Sequence, residues 1–302
     1  EIYVLDEPSA NLDRIATLRL RNLLLQLKNS GKTLLISEHR LYYLRDVADQ
    51  IALIHEGRLT GVYDMNHLSA LSVETLNRMG LRTLRDIEIS ASSTNCHAKT
   101  PALEIRNLSV KRGKKTVLKN INISADYGEI VGIIGENGIG KTTLARTVCG
   151  LMKEKTGDIY FAGQLMNIRM RKQFAFLVMQ DPNYQLFSDS VIGEMTITAS
   201  GEIPDSEDVQ RILSSLELTD VGDRHPLSLS GGQKQRLCVA LAALSPARIL
   251  FFDEPTSGLD FENMNRVAKL LRELAKTKAV IVISHDNEFL ELACTRIISL
   301  SK

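Results

Sequence analysis

The chain has 302 residues, enough for two ordinary domains or one large one whose core needs no metal or disulfide staple. With 37 Lys and Arg against 36 Asp and Glu it is nearly neutral, which excludes a general field for nucleic acid or an anionic bilayer. Any polyanion it binds must therefore be gripped locally.

No apolar run approaches the roughly 20 residues that cross a bilayer, and no stretch reads as a signal peptide. Cys96, Cys149, Cys238 and Cys294 lack CxxC or His-coupled spacing and read as reduced thiols of a cytosolic protein. Glu stands at position 1, which reads as a cut or processed amino end.

In chain order, Ile2 to Leu5 is an apolar strand, Ile15 to Leu27 an amphipathic helix carrying Leu20, Leu23, Leu24 and Leu27, and Leu34 to Ile36 a second strand. Ile51 to His55 reads as a further strand, turned by Gly57 and Gly61, and Asn66 to Met79 as a helix. Residues 89–101, rich in Ser, Thr and Asn, read as a linker between residues 1–88 and a second domain over 102–302.

That domain opens with strands Leu103 to Val110 and Val117 to Ser124, parted by the basic turn Lys111 to Lys115. Strand Ile130 to Ile134 leads into a glycine loop, and helix Thr142 to Cys149 leaves it. Met166 to Arg224 is more polar and helical and reads as an insert before the sheet resumes at Ile249. Helix Met264 to Ala275 and strands Val280 to Ile283 and Arg296 to Leu300 complete the chain.

Comparison of the chain with itself shows a repeat. Ile2 to Asp13 (IYVLDEPSANLD) aligns without a gap on Ile249 to Asp260 (ILFFDEPTSGLD), and Lys32 to His39 matches Lys278 to His285, with one extra residue placed before His39. Short apolar strands followed by amphipathic helices argue for a parallel sheet covered on both faces.

The residues around these strands carry the chemistry. Gly135 to Thr142 satisfies GxxxxGK[ST] between a strand and a helix, where inward-turned amides and a helix amino end cradle phosphates. Gly135, Asn137, Gly138, Gly140, Lys141, Thr142 and Thr143 are the expected nucleotide contacts, with Lys141 on the β and γ phosphates and the Thr142 hydroxyl offered to Mg²⁺. Asp253, at a strand's carboxyl end, reads as the metal organiser, and Glu254 as the group that polarises an attacking water. His285 is placed to bond a γ phosphate, and Gln180 to reach Mg²⁺ or that water. Asp6, Glu7, Asp13 and His39 are the first copy's counterparts, with no glycine loop ahead of them.

Together these motifs resemble the nucleotide-binding domains of ABC ATPases, a resemblance covering nearly the whole chain. Leu229-Ser230-Gly231-Gly232-Gln233 looks like that family's signature, which is also a Ser-capped helix start. The resemblance implies an α/β P-loop fold with a mainly parallel core sheet, an antiparallel N-terminal subdomain and an inserted helical subdomain, using ATP and Mg²⁺. It further implies head-to-tail pairing, with Ser230, Gly231, Gly232 and Gln233 completing an opposing domain's ATP site. Ser257 to Asp260 and Ser9 to Asp13 would let the two sites sense each other.

Within the family, Gln180 to Phe187 and Ser37 to Leu41 resemble the fused ATPase subunits of energy-coupling-factor and cobalt-type importers. That implies a transmembrane coupling protein, a membrane subunit binding a vitamin or metal ion, no nucleic acid, and a peripheral place on the cytoplasmic face of the membrane. Two departures stand out. Arg112 occupies the position where relatives stack an aromatic ring on adenine, and the first copy lacks its glycine loop, Gln loop and signature. The chain thus reads as a fragment of a longer tandem protein, weak in hydrolysis alone. The alternative class is a soluble tandem ATPase acting on ribosomes, which the modest, mixed charge of residues 60–101 disfavours.

Overall fold

A computed structural model of the chain describes residues 1–55, 57–91, 100–198 and 206–301. Most of the expected linker, and Cys96, lie outside the described residues. The chain divides into two compact units, residues 1–88 with 258–264, and residues 89–257 with 265–302.

In the first unit, β1 (Ile2–Asp6), α1 (Arg14–Asn29) and β2 (Thr33–Ser37) form one strand–helix–strand turn, with β1 and β2 parallel. Asp13 caps α1 by accepting a hydrogen bond from the Ala16 amide at 2.8 Å. An antiparallel hairpin of β3 (Gln50–His55) and β4 (Arg58–Asp64) follows, then α2 (Met65–Ser69) and α3 (Val73–Arg78).

Two expectations change here. Gly61 lies within β4 rather than in the turn, and the single helix over 66–79 is two short ones. The break has a local cause: the Ser72 hydroxyl accepts from the Thr75 amide at 3.2 Å and starts a new helix. The β1–β2 sheet is also covered on one face only. Leu5, Leu34 and Ile36 pack with α1 and residues 42–47, whereas Ile2, Val4 and Leu35 are exposed.

The second unit begins with a hairpin of β5 (Leu103–Arg112) and β6 (Lys115–Ala125), both longer than expected, then β7 (Ile130–Ile134) and α4 (Lys141–Val148). The strands β8 (Thr156–Phe161) and β9 (Gln164–Leu165) extend the hairpin into a four-stranded antiparallel sheet, β6-β5-β8-β9. After α5 (Ile168–Phe174) comes β10 (Ala175–Val178), so the helical insert starts behind a core strand and not at Met166. The insert holds α6 (Val191–Thr198) and α7 (Ser206–Ser215) and leads to α8 (Gly231–Leu244).

The core sheet is completed by β11 (Ile249–Asp253), α9 (Phe261–Ala275), β12 (Ala279–Ile283), α10 (Asn287–Ala293) and β13 (Arg296–Ser299). Its order is β10-β11-β12-β7-β13, every pairing parallel. Every residue of β11 and β12 is buried, which explains their unbroken apolar sequence: both faces are covered. Val131, Ile133, Phe251, Ile281 and Ile283 share one face of this sheet with Leu144 and Val148 of α4. The fold is therefore a P-loop ATPase core with a parallel sheet, an antiparallel subdomain and a helical insert.

Candidate functional site

The site of the second unit lies at the carboxyl ends of β7, β11 and β12, the edge where parallel sheets bind ligands. β7 ends at Ile134, and the chain turns through Gly135 (φ +152°), Gly138 (φ +77°) and Gly140 (φ +117°) before α4 begins. Side chains are excluded twice over at Gly140. Its φ disfavours them, and a Cβ would stand 2.7 Å from Leu118 Cδ2 and 3.0 Å from Val117 Cγ1 on β6.

Lys141, 7% exposed, donates to the carbonyls of Gly135 at 2.7 Å and Glu136 at 3.1 Å. Those carbonyls hold the ammonium in the concavity of the loop, and α4 starts there without a side-chain cap. Such a loop–helix junction has the shape and dipole for a phosphate chain. Beside it, the Thr142 hydroxyl donates to Asp253 Oδ2 at 2.7 Å. Burial pushes the Asp253 carboxyl above its ordinary range, opposed by the Thr142 bond and by the charges of Lys141 and Arg146.

A hydroxyl and a carboxylate this close are hard oxygen donors suited to Mg²⁺. Among the described residues no group of three or more His, Cys, Asp and Glu gathers to form an all-protein metal cage. The donor set therefore fits an ion that takes its remaining ligands from phosphate and water.

Glu254, 3% exposed, sits in the left-handed region at φ +53°. Its amide donates to the Ile283 carbonyl at 2.8 Å, and its own carbonyl accepts from Gln235 Nε2 at 3.0 Å. The Ser284 hydroxyl donates to Glu254 Oε2 at 2.9 Å, and the His285 amide to Oε1 at 2.9 Å. His285 Nε2 stands 4.0 Å from Oε1. Strand register makes this meeting: Asp253 pairs with Ile283, so the residues after each strand emerge side by side.

The other expected residues make contacts of their own or are exposed. Gln180 is exposed just after β10. It is Gln185 that binds back to that strand, accepting from the Met179 amide at 2.6 Å and donating to the Leu177 carbonyl at 2.6 Å. Arg112 is exposed at the tip of the β5–β6 hairpin, and Asn137 is exposed on the loop. Thr143 lies on α4, where its carbonyl accepts from the Thr147 hydroxyl at 2.8 Å.

Ser230 caps α8 in a reciprocal box: its hydroxyl accepts from the Gln233 amide at 3.2 Å, and Gln233 Oε1 accepts from the Ser230 amide at 3.0 Å. Ser230 and Gly231 are exposed. A Cβ on Gly231 would meet nothing within 4 Å, so that position faces open space. Sequence reasoning missed Ser284, Gln235 and Gln185. Only Ser284 left a signal, its place directly before His285.

The first unit repeats part of this geometry. Asp6 pairs with Ser37 as Asp253 pairs with Ile283, and the Glu7 amide donates to the Ser37 carbonyl at 2.8 Å. Glu7, like Glu254, has a positive φ, +40°, and His39 Nε2 lies 3.8 Å from its carboxylate. The register also corrects the sequence alignment. Glu38 stands at the Ser284 position, and the extra residue lies in α1, which has 16 residues against 15 in α9.

A family model described as ABC transporter matches residues 118–257, from the β6 strand under the glycine loop to the turn after Glu254. A Treponema denticola protein assigned as an ABC transporter ATP-binding protein is 41% identical over 308 residues, covering the whole chain. Residues 118–257 belong to the ABC transporter family.

The chain spans 63% of the length of that relative and 62% of a second from the same organism, which is 37% identical. Among solved structures it is similar to cbiO1 of Clostridium perfringens, part of the ABC transporter complex cbiONQ. The identity is 29% and the TM-score 0.59, covering 67% of this chain and 86% of that one. A likeness to a model of ribosome-bound archaeal Pelota and ABCE1 has a TM-score of 0.77, covering 100% of this chain and 50% of that one, at 23% identity. That likeness shows the fold alone. Among the described residues no helix is long and apolar enough to cross a membrane.

Proposed function

We propose that this chain is part of an ATP-hydrolysing subunit that powers import of a small substrate, a vitamin or metal ion, through separate membrane subunits. The observation that carries the hydrolytic reading is the pairing of two differently held carboxylates at one sheet edge. Asp253 is turned to the Thr142 hydroxyl, and Glu254 is aimed away from it by Ser284 and the His285 amide. One acid is thus suited to organising a metal and its neighbour to polarising water.

Residues 135–143 would hold the phosphates, with Lys141 turning from its carbonyl partners to the β and γ oxygens. Thr142, Asp253 and Gln180 would hold Mg²⁺, which supplies charge neutralisation when bound. Arg112 would stack on the base through its guanidinium plane. His285 would bond the γ phosphate, and Ser230, Gly231, Gly232 and Gln233 would meet nucleotide on an opposing domain. The exposure of Ser230 and Gly231 at the start of α8 supports that role.

We read residues 1–88 as the end of a first ATPase domain, 89–101 as a linker and 102–302 as a second domain, paired head to tail. The importer reading is supported by the similarity to cbiO1, described as part of a transporter complex. Its counterparts here would be a transmembrane coupling protein, met by residues after Gln180, and a substrate-binding membrane subunit, at the cytoplasmic face.

The test is Glu254→Gln in the complete assembly. It should retain MgATP binding and lose turnover at this site by at least about 100-fold. Undiminished turnover, in a protein whose first copy is already disabled by Glu7→Gln, would sink the assignment.

A further inference from the structure

We propose that Glu38 is a positioning residue for His39 in the first copy, holding the histidine turn independently of Glu7. The inference rests on the reading above that Glu7 and His39 belong to an ATP site. In the second copy the acid and the histidine turn are one unit: the His285 amide donates to Glu254 Oε1 at 2.9 Å and the Ser284 hydroxyl to Oε2 at 2.9 Å. Loss of that carboxylate would release the turn.

The first copy is wired differently. Glu38 replaces the serine in the same register, and its Oε1 accepts from the amides of His39 at 2.9 Å and Arg40 at 3.1 Å. Its Oε2 accepts from the Ser9 amide at 3.2 Å and the Tyr43 hydroxyl at 2.8 Å. Four donors thus converge on one carboxylate and tie the histidine turn to the Ser9 turn after Glu7 and to the core residue Tyr43. The His39 amide donates to Glu38, and Glu7 meets His39 through the imidazole, at 3.8 Å.

Two consequences follow. Glu7 and His39 can move separately where Glu254 and His285 move together, so the two copies respond differently when their acid is removed. And the geometry of His39 depends on a carboxylate that does no chemistry itself.

Amide hydrogen exchange across 36–42 and 282–287 of the complete protein tests the first point. Glu38→Ala should speed exchange at His39 and Arg40 by about tenfold or more, Glu7→Ala should leave it unchanged, and Glu254→Ala should speed it at His285. Glu38→Gln keeps an acceptor oxygen and should restore protection at His39 and Arg40. Equal deprotection by Glu7→Ala and Glu38→Ala, or none by Glu38→Ala, would overturn the proposal.

Turnover in a Glu254→Gln background tests the second point. Glu38→Ala should lower kcat about tenfold with KM for ATP within about twofold, and Glu38→Gln should recover most of it. An equal loss in Glu38→Gln and Glu38→Ala would overturn it. If the Glu254→Gln protein shows no turnover sensitive to Glu7, the ATP-site reading of the first copy fails, and the exchange experiment still decides whether Glu38 holds the turn.

Discussion

Glu254 shows how much one side chain here depends on its neighbours. A non-glycine residue at φ +53° persists only where its surroundings over-determine it, and strain of this kind costs about 1–3 kcal/mol. Three fixed partners meet that need: the Ile283 carbonyl on its amide, Gln235 on its carbonyl, and the Ser284–His285 pair on its carboxylate. Removing the Ser284 hydroxyl leaves a buried carboxylate oxygen short of one donor. Ser284→Ala should therefore lower stability by about 1.5–3 kcal/mol, read as a shift in denaturant midpoint at constant slope, and should reduce kcat. Gln235 lies on α8, so the same bonds tie the signature helix to the acid that the site depends on.

Helix starts carry much of the function at the scale of elements. α4 begins at a glycine in a conformation that side chains avoid, against the packed Leu118 of β6. Gly140→Ala should lose about 1–3 kcal/mol of stability and weaken MgATP binding, measured by thermal melting and calorimetric titration. At α8, Ser230 is both cap and exposed candidate contact, and two substitutions separate these roles. Ser230→Ala removes the cap and should cost about 1 kcal/mol. Ser230→Asp keeps a good cap but sets a negative charge toward phosphate, so it should melt like the parent protein and still lose turnover. Equal turnover in Ser230→Asp and the parent would show that Ser230 is only a cap.

The molecule as a whole sets the pH response through Lys278, which leads into β12 and donates to the Ser245 carbonyl at 2.6 Å at the end of α8. Burial lowers its pKa to about 8. Because the folded value lies below the unfolded one, the unfolded chain holds more protons between about pH 8 and 10.5, and this group's contribution to stability rises with pH across that window. Below it both states are protonated and the burial penalty is present in full. Lys278→Met should abolish that rise, seen as a parent-minus-variant difference in denaturant midpoint that grows from about pH 8 to 10.5.

The order of strands, glycine loop, acidic pair, signature and histidine is written in the chain, because each depends on local pattern: apolar runs of strand length, glycines before a helix, a serine three residues before a glutamine. The repeat of Ile2 to Asp13 in Ile249 to Asp260 belongs to the same class. Other features depended on how strands pair and how the loops after them fold. That Gln185 binds the edge of β10, that Ser284 holds Glu254, and that Glu38 takes the first copy's histidine amide all follow from parallel register between β1 and β2 or β11 and β12, and from loops folding back on them. The same holds for the additional residue placed in α1 and for the single covered face of the β1–β2 sheet. Composition and periodicity determine which segments become strands and helices. Which atoms then meet is a matter of pairing and packing between segments, and only the folded chain decides it.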